Sequence, residues 1–509
     1  MKTPSSLLSK LIAAVACLAL LWLAFSVYAT GEPLWALALL IFGGTSLYVY
    51  LSATTLAWRY LFPGVAAMLI FVAFPLVYTI QIGFTNYSSS NLLTESRSRA
   101  YLLDQADVNE ARAFATTVYS VGSDYRLVLV GQGEGEKSTH YMSSVFKDAP
   151  SKTPVSVQPM PADQVLGNAL NLRQVIALRD TLMALKLAMP DNTVLQYAGL
   201  REFAVFEPLW QEQVGGGLKR LVDGVLYQPN RDTGFFENAQ GDRLQPGFKV
   251  NVGLANYTRM FGDADMRGPF FSIFIWTVVF AGLTVLFSTV IGMTLAVVLN
   301  WEALKYRTLY RTLLFLPYAV PGFISILVFK GLFNQNFGEI NAILDAVLGV
   351  RPNWFADPTL AKAMILIVNT WLGYPYIMVL CTGLIKSIPS DLYEASAIAG
   401  AKPLTNFWRI TAPLIVKPLT PLLISAFAFN FNNFVLISLL TDGRPDILNT
   451  KLPAGTTDIL VSYTYRIAFT DAGSNFGLAA AISTVIFFLV AILSLLNLKM
   501  TQSNDQRKG

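Results

Sequence analysis

Long runs of apolar residues, not alternating patterns, organise most of this chain. Eight such runs stand out, near Leu11–Ala29, Leu34–Ala57, Leu61–Phe84, Phe270–Leu299, Leu313–Phe333, Ala361–Ile385, Leu419–Leu440 and Phe476–Leu498. About 20 apolar residues in helical form cross the roughly 30 Å of a bilayer's hydrocarbon, so each run predicts a membrane span. Several exceed that length, which predicts tilt or a broken helix. The first run is too long for the apolar region of a leader peptide, and a second follows almost at once, so it reads as a retained span. Between the third and fourth runs the pattern changes. Short strand-like runs such as Tyr125–Val130 and Phe248–Val252 alternate with turn clusters such as Pro229-Asn230 and Gly241-Asp242. Leu172, Val175, Ile176, Leu182 and Leu185 recur near helical spacing, with Arg173, Arg179 and Asp180 between them. A connection this long needs a fold of its own. The expected fold is an all-α polytopic membrane protein of about eight transmembrane helices with an inserted small strand-rich domain. The expected parts are a three-span unit (1–86), a periplasmic loop domain (87–268) and a five-span core (269–509). No internal repeat or low-complexity segment is evident.

Composition supports this reading: 54% of the 509 residues are hydrophobic and 14% charged, against about 25% charged in soluble domains. Basic residues fix the expected orientation. With the N-terminus inside, cytoplasmic segments hold Lys2, Lys10, Arg59, Lys305, Arg307, Arg311, Lys386, Lys402, Arg409, Lys417, Lys499, Arg507 and Lys508. The short outer connections hold only Arg351, Lys362, Arg444, Lys451 and Arg466, with Lys330 at a span end. The net charge of +5 is therefore a topology signal and not a nucleic-acid footprint. Cys17 and Cys381 fall inside apolar runs and read as packing residues. One histidine, His140, leaves no basis for a histidine- or cysteine-based metal site.

The segment 387–417 lies between two spans on the expected cytoplasmic side. Asp391 and Glu394 have the spacing of a capping box at a helix start. Gly400 supplies the backbone freedom of a helix end, and Pro403 can open a second helix. The expected result is a helical elbow: two short helices around a glycine break.

Two other patches carry chemistry or imitate it. Gly131-Gln132-Gly133-Glu134-Gly135-Glu136-Lys137-Ser138-Thr139 looks like a phosphate-binding loop. Glu136 stands where such a loop needs glycine, and its charge would repel phosphate. The segment reads as a solvated turn and not as an ATP site. Within the spans, Asn369–Tyr376 and Phe427–Asn433 place amides and aromatic rings at membrane depth, with Pro317–Gly322 in the span before them. Such groups are costly in lipid unless they face one another or a wet cavity. Sugars need both features, rings to stack on pyranose C–H faces and amides to bind hydroxyls. Interhelical amide pairs are also common membrane glue, so packing alone accounts for any one of them.

The elbow carries a resemblance. Glu394, Ala395, Gly400, Ile410 and Pro413 match, at the same spacing, the EAA loop of binding-protein-dependent ABC importer permeases. Ser396 replaces the third small residue and Ala412 a leucine. Within that family, Gly331–Asn336, Asn369–Tyr376, Ala428–Leu436 and Tyr463–Phe469 resemble the larger membrane subunit of the maltose/maltodextrin branch, as does the long insertion after the third span. The resemblance implies that the elbow docks on a cytoplasmic ATPase. It implies four kinds of partner: a second permease subunit, an ATPase dimer that binds ATP and Mg, a periplasmic maltose-binding protein, and maltose or maltodextrin as cargo. It implies no cofactor and no catalysis in this chain. It carries sugar contacts onto Tyr318, Asn369, Leu372, Gly373, Tyr376, Phe429, Asn430 and Asn433, with Trp371 lining the site. Two further positions, Gly322 and Ala426, carry serine in the relative and have no hydroxyl here. Asn430 and Asn433, three residues apart, are expected to share a helix face. Two other readings compete: a permease for another oligosaccharide such as trehalose, and a membrane glycosyltransferase. The latter wants paired acidic residues in a membrane-facing pocket, and the core spans show no such pair.

Overall fold

The computed structural model describes residues 7–131, 140–148, 154–161, 166–301, 303–448, 450, 453–470 and 474–506. It divides into two compact units: residues up to Phe84 with those from Gly253 onward, and the insertion Thr85–Val252. The phosphate-loop lookalike lies outside the described residues apart from Gly131, which ends a strand.

The first unit is helical. Helices α1 (Leu7–Ala29), α2 (Pro33–Leu51) and α3 (Trp58–Gly83) precede the insertion. After it come α4 (Ala264–Asn300), α5 (Arg307–Ala319), α6 (Gly322–Leu332) and α7 (Pro358–Lys386). The short α8 (Ser390–Ile398) follows, then α9 (Pro403–Phe431), α10 (Phe434–Leu440), α11 (Leu460–Phe469) and α12 (Phe476–Gln506). Six of these are long and apolar enough to cross a membrane. The run expected as one span over Leu313–Phe333 is instead bent by 91° between α5 and α6. Its cause is local: Pro321 has no amide to donate and holds an extended conformation before α6. The last expected span corresponds to the apolar part of α12, Phe476–Ile492. Large apolar side chains point outward, as lipid contact requires; Trp22 and Phe25 on α1 are about two-thirds exposed.

Small residues let the central helices meet. Helices α4 and α7 run against each other. A Cβ on Gly292 of α4 would lie 2.9 Å from Ile377 Cβ, Met378 N and Tyr374 O of α7. Only glycine permits that approach, which is how membrane helices gain packing contact without a hydrophobic driving force. The Tyr374 hydroxyl donates to Leu314 O (2.9 Å) and fastens α5 to the same pair.

The insertion is strand-rich, and it closes on itself. Strands β1 (Ala106–Val121), β2 (Asp124–Gly131), β3 (His140–Ser143), β4 (Val155–Pro159), β5 (Lys186–Ala188), β6 (Val194–Gly199) and β7 (Glu202–Pro208) form a barrel. β1 is long enough to pair with both β2 and β7, helped by a bulge between Val108 and Ala113. Closure leaves no exposed edge. Leu127, Leu129, Leu187, Leu195 and Phe203 fill the interior. β4 and β5 are parallel; the crossover they require holds the helical segment read from sequence. That segment is two short helices, Leu172–Ala177 and Arg179–Ala184, the first capped by an Asn171–Gln174 capping box. Strands β8 (Trp210–Glu212), β9 (Leu218–Arg220), β10 (Leu226–Asn230) and β11 (Phe235–Glu237) form a second sheet in the order β11-β10-β9-β8. Two details differ from expectation. Pro229-Asn230 ends a strand, its turn lying just beyond, and Phe248–Val252 makes only single bridges, Leu93 with Phe248 and Thr85 with Asn251. These bridges join the two ends of the insertion. Asn86 reinforces the join, its Oδ1 accepting from Val250 N at 2.8 Å.

The connection between α10 and α11 holds a buried charge pair. The Asp458 side chain is fully buried and accepts from Arg466 Nη1 (2.9 Å), Ser462 Oγ (2.8 Å) and Gly455 N (2.7 Å). Arg466 also donates to Asp446 at 2.6 Å. Burial pushes the Asp458 carboxyl up to about 6, against the pull of Arg466. A raised folded-state value means the group's contribution to stability is present below its unfolded value and is lost as pH rises through about 6. In thermal unfolding of the purified protein, wild type should lose roughly 3 kcal/mol relative to Asp458→Asn between pH 4 and pH 7. Parallel pH profiles for the two proteins would show that folding does not raise the Asp458 value.

A cavity at two helix breaks and a helical elbow

The cavity begins at a helix break. The run Phe427–Asn433 cannot stay helical, because asparagine side chains compete for backbone groups. Helix α9 stops at Phe431, and Asn433 caps α10, its Oδ1 accepting from Leu436 N at 3.4 Å. Asn430 and Asn433 therefore do not share a helix face, contrary to the spacing argument; one ends a helix and the other starts the next.

Asn369, midway along α7, ties the break together. Its Nδ2 donates to Asn430 Oδ1 (2.7 Å) and to Thr284 Oγ1 of α4 (3.2 Å), and its Oδ1 accepts from Asn433 Nδ2 (3.3 Å). Asn430 Nδ2 donates to Ala426 O (2.8 Å). Asn369 and Asn430 are buried. A primary amide offers two donors and two lone pairs. On that inventory Asn430 and Asn433 each keep one N–H, and all three amides keep one lone pair, for another partner.

Those groups border a cavity of about 1230 Å³ between α4, the α5–α6 bend, α7 and the α9–α10 break. Tyr318, Asn369, Leu372, Gly373, Tyr376, Phe429, Asn430 and Asn433 all line it, as do Gly322 and Ala426. Phe429 is 71% exposed, Tyr318 57% and Tyr376 40%, and Tyr318 stacks one ring face on Phe315, with centroids 5.3 Å apart. The bend contributes Pro317–Phe323 to the wall, with backbone groups released from helical bonding. Trp371 is the exception among the expected residues. Its ring packs edge-on against Phe329, with centroids 5.0 Å apart, and it does not line the cavity. Its place between Thr370 and Leu372 in the sequence turns it to another face of α7. Sequence reasoning missed Thr284, Ser288 and Ser425, which also line the wall, as does Asn432 of the run read from sequence. Hydroxyls within apolar runs are too common to single out by pattern.

The elbow departs from expectation at its start and its end. Pro389 is the N-cap of α8 and offers no side-chain oxygen, so Asp391 lies inside the first turn and no capping box forms with Glu394. Gly400 follows the helix end with φ +70°, and Ala401 N donates back to Ser396 O at 3.0 Å. Pro403 opens the second helix, which is not short: it continues through a wider turn at Phe407–Thr411, past Ile410 and Pro413, into the span α9. Ser396 Oγ donates to Asn406, and the Tyr393 and Thr411 hydroxyls pair at 2.8 Å, holding α8 against the start of α9. Glu394 and Ala395 lie on α8, where Glu394 is exposed.

Comparison with known proteins bears on both features. The description "Binding-protein-dependent transport system inner membrane component" matches residues 288–502, which include the elbow and most of the cavity wall. "Maltose transport system permease protein MalF P2 domain" matches residues 93–253, the insertion. The curated MalF of Klebsiella aerogenes is 50% identical over 96% of this chain and 95% of its own.

This chain belongs to the MalF family.

MalF of Escherichia coli K12 is 48% identical over 94% of each chain, and that of Yersinia pestis 49% over 94% and 91%. Among solved structures, a bacterial ABC transporter involved in the import of the acidic polysaccharide alginate matches 50% of this chain and 84% of its own, at TM-score 0.43 and 21% identity. As a MalF family member, the chain is a multi-pass membrane permease component of an ABC importer and not an enzyme.

The amide network makes a stability prediction. Asn369→Leu removes the partners of Asn430, Asn433 and Thr284 at once. Each buried polar group left unpaired costs about 1–3 kcal/mol. The purified variant should unfold several degrees below wild type in detergent, and an unchanged unfolding temperature would mean that the amides do not hold the break.

Proposed function

We propose that the cavity is the translocation site for maltose and short maltodextrins, and that the chain moves them inward by alternating access. The observation that carries this reading is the pairing of three partly exposed aromatic rings with spare amide hydrogen-bonding capacity in one mid-span cavity. Rings stack on the apolar faces of glucosyl units, and amides exchange hydrogen bonds with their hydroxyls. The relatives' names supply the sugar class. Tyr318, Tyr376 and Phe429 take the stacking role, and Asn369, Asn430 and Asn433 the hydrogen-bonding role. Leu372 and Gly373 shape the wall.

In this reading the chain has no cofactor of its own. A separate ATPase dimer binds ATP and Mg and docks on the elbow through Glu394, Ala395, Ser396 and Gly400, with Ile410 and Pro413 fixing the return into α9. A second permease subunit completes the path, and a periplasmic maltose-binding protein delivers sugar on the side of the insertion. Both termini are cytoplasmic. Alternating access needs an element that changes shape under load. The glycine-ended elbow, joined directly to the helix that ends at the cavity, can transmit ATPase movement to Phe429 and Asn430.

Two experiments test these proposals. In membranes containing the full complex, Asn430→Ala together with Asn433→Ala should lower maltose uptake per assembled complex by about five- to a hundredfold. Undiminished uptake per complex would remove the sugar site, and better retained trehalose uptake would point to a different cargo. For orientation, single cysteines are placed at Lys402 and Lys249 in a chain whose Cys17 and Cys381 are replaced. An impermeant thiol reagent added to spheroplasts should label position 249 and spare position 402. Labelling of position 402 would invert the topology.

A further inference from the structure

The wall of the cavity on α4 carries a hydroxyl without a partner. Helical serines and threonines in this membrane unit commonly donate to the carbonyl four residues earlier, as Thr277, Thr294, Thr382 and Ser425 do. Ser288 does not. Its Oγ makes no hydrogen bond, although the residue is only 4% exposed. Other described hydroxyls in the spans share that state, Thr289, Ser325 and Thr370 among them, but only Ser288 of these also lines the cavity.

What Ser288 faces is equally specific. A Cβ added to Gly373 would lie 2.8 Å from Ser288 Oγ. Any other residue at 373 would therefore cover the hydroxyl. The pair forms a filled notch: glycine on α7 makes the room that the Ser288 side chain of α4 occupies, so the Oγ is covered at rest and meets a solute by rotating about Cα–Cβ. A buried hydroxyl in lipid keeps its cost until something satisfies it, and Ser288 lines the cavity.

We propose that Ser288 Oγ hydrogen-bonds a hydroxyl of a glucosyl unit in the cavity and so helps set sugar specificity from the α4 side. This rests on the sugar-site reading above. It assigns a hydroxyl contact to a chain that has none at Gly322 and Ala426, on the bend and on α9. Gly373 acts as a positioning residue, by leaving room for the Ser288 side chain.

The test pairs a protein hydroxyl with a sugar hydroxyl. Uptake kinetics are measured per assembled complex with maltose and with a set of maltose analogues each lacking one hydroxyl. The same binding protein is used throughout, so that its own preferences cancel in the wild-type to variant ratio. Ser288→Ala should raise the apparent KM for maltose about five- to a hundredfold. For one deoxymaltose, wild type and Ser288→Ala should have the same KM, because the lost hydroxyl is the one Ser288 binds. Gly373→Ala, which takes the room of the Ser288 side chain without removing the hydroxyl, should give the Ser288→Ala pattern. An unchanged KM for maltose in Ser288→Ala would overturn the inference. So would an equal loss on every sugar, which is what a structural role for Ser288 produces. The Asn430→Ala/Asn433→Ala chain run alongside separates the two levels. If it loses maltose uptake while Ser288→Ala does not, this inference alone fails; if neither loses uptake, the sugar-site reading fails with it.

Discussion

Hydrocarbon offers no hydrogen bonds, so every polar group placed within it must find a partner in the protein or in a wet space. The middle of this chain is arranged around that constraint. Helix α9 cannot run through Asn430, Asn432 and Asn433, and its end would leave amides and carbonyls orphaned. Asn433 caps the next helix, Asn430 turns back to Ala426, and Asn369 reaches across from α7 to both. One side chain from a neighbouring helix thus makes the interruption tolerable. Without it, the break that opens the cavity would be a defect.

The network uses only part of the amides' capacity, so the proposed sugar contacts would draw on the same groups that hold the break. The α5–α6 bend follows the same logic by another route. Pro321 makes the break, and its released backbone faces the cavity instead of lipid. Two interruptions, one made by amides and one by proline, meet on one space, and the continuous helices α4 and α7 supply the wall opposite. Gly292 and Gly373 allow those two helices to approach closely.

Much of this was legible in the sequence, for identifiable reasons. Spans are read well because their signal is twenty residues long and the bilayer imposes it. The cavity residues were found because amides and rings are out of place in lipid, and the elbow because proline and glycine punctuate it. What failed were inferences from local spacing. Asn430 and Asn433 were placed on one face by assuming a helix that their own side chains end. Asp391 and Glu394 had capping-box spacing, but Pro389 took the capping position. Trp371 sits among cavity residues in sequence and faces Phe329 in space. Barrel closure in the insertion was invisible because it depends on β1 pairing with both β2 and β7, which are far apart in the chain. Ser288 was missed because a lone serine in an apolar run says nothing until its neighbour's missing side chain is seen.

The two ends of the insertion are bridged, Thr85 to Asn251, with Asn86 bonded to Val250. Bridged residues in antiparallel chains stand about 5 Å apart. To the spans on either side, some 170 residues of folded domain therefore occupy the footprint of a hairpin turn. With its ends held this close, the insertion closes its own loop, so its size does not set the distance between them.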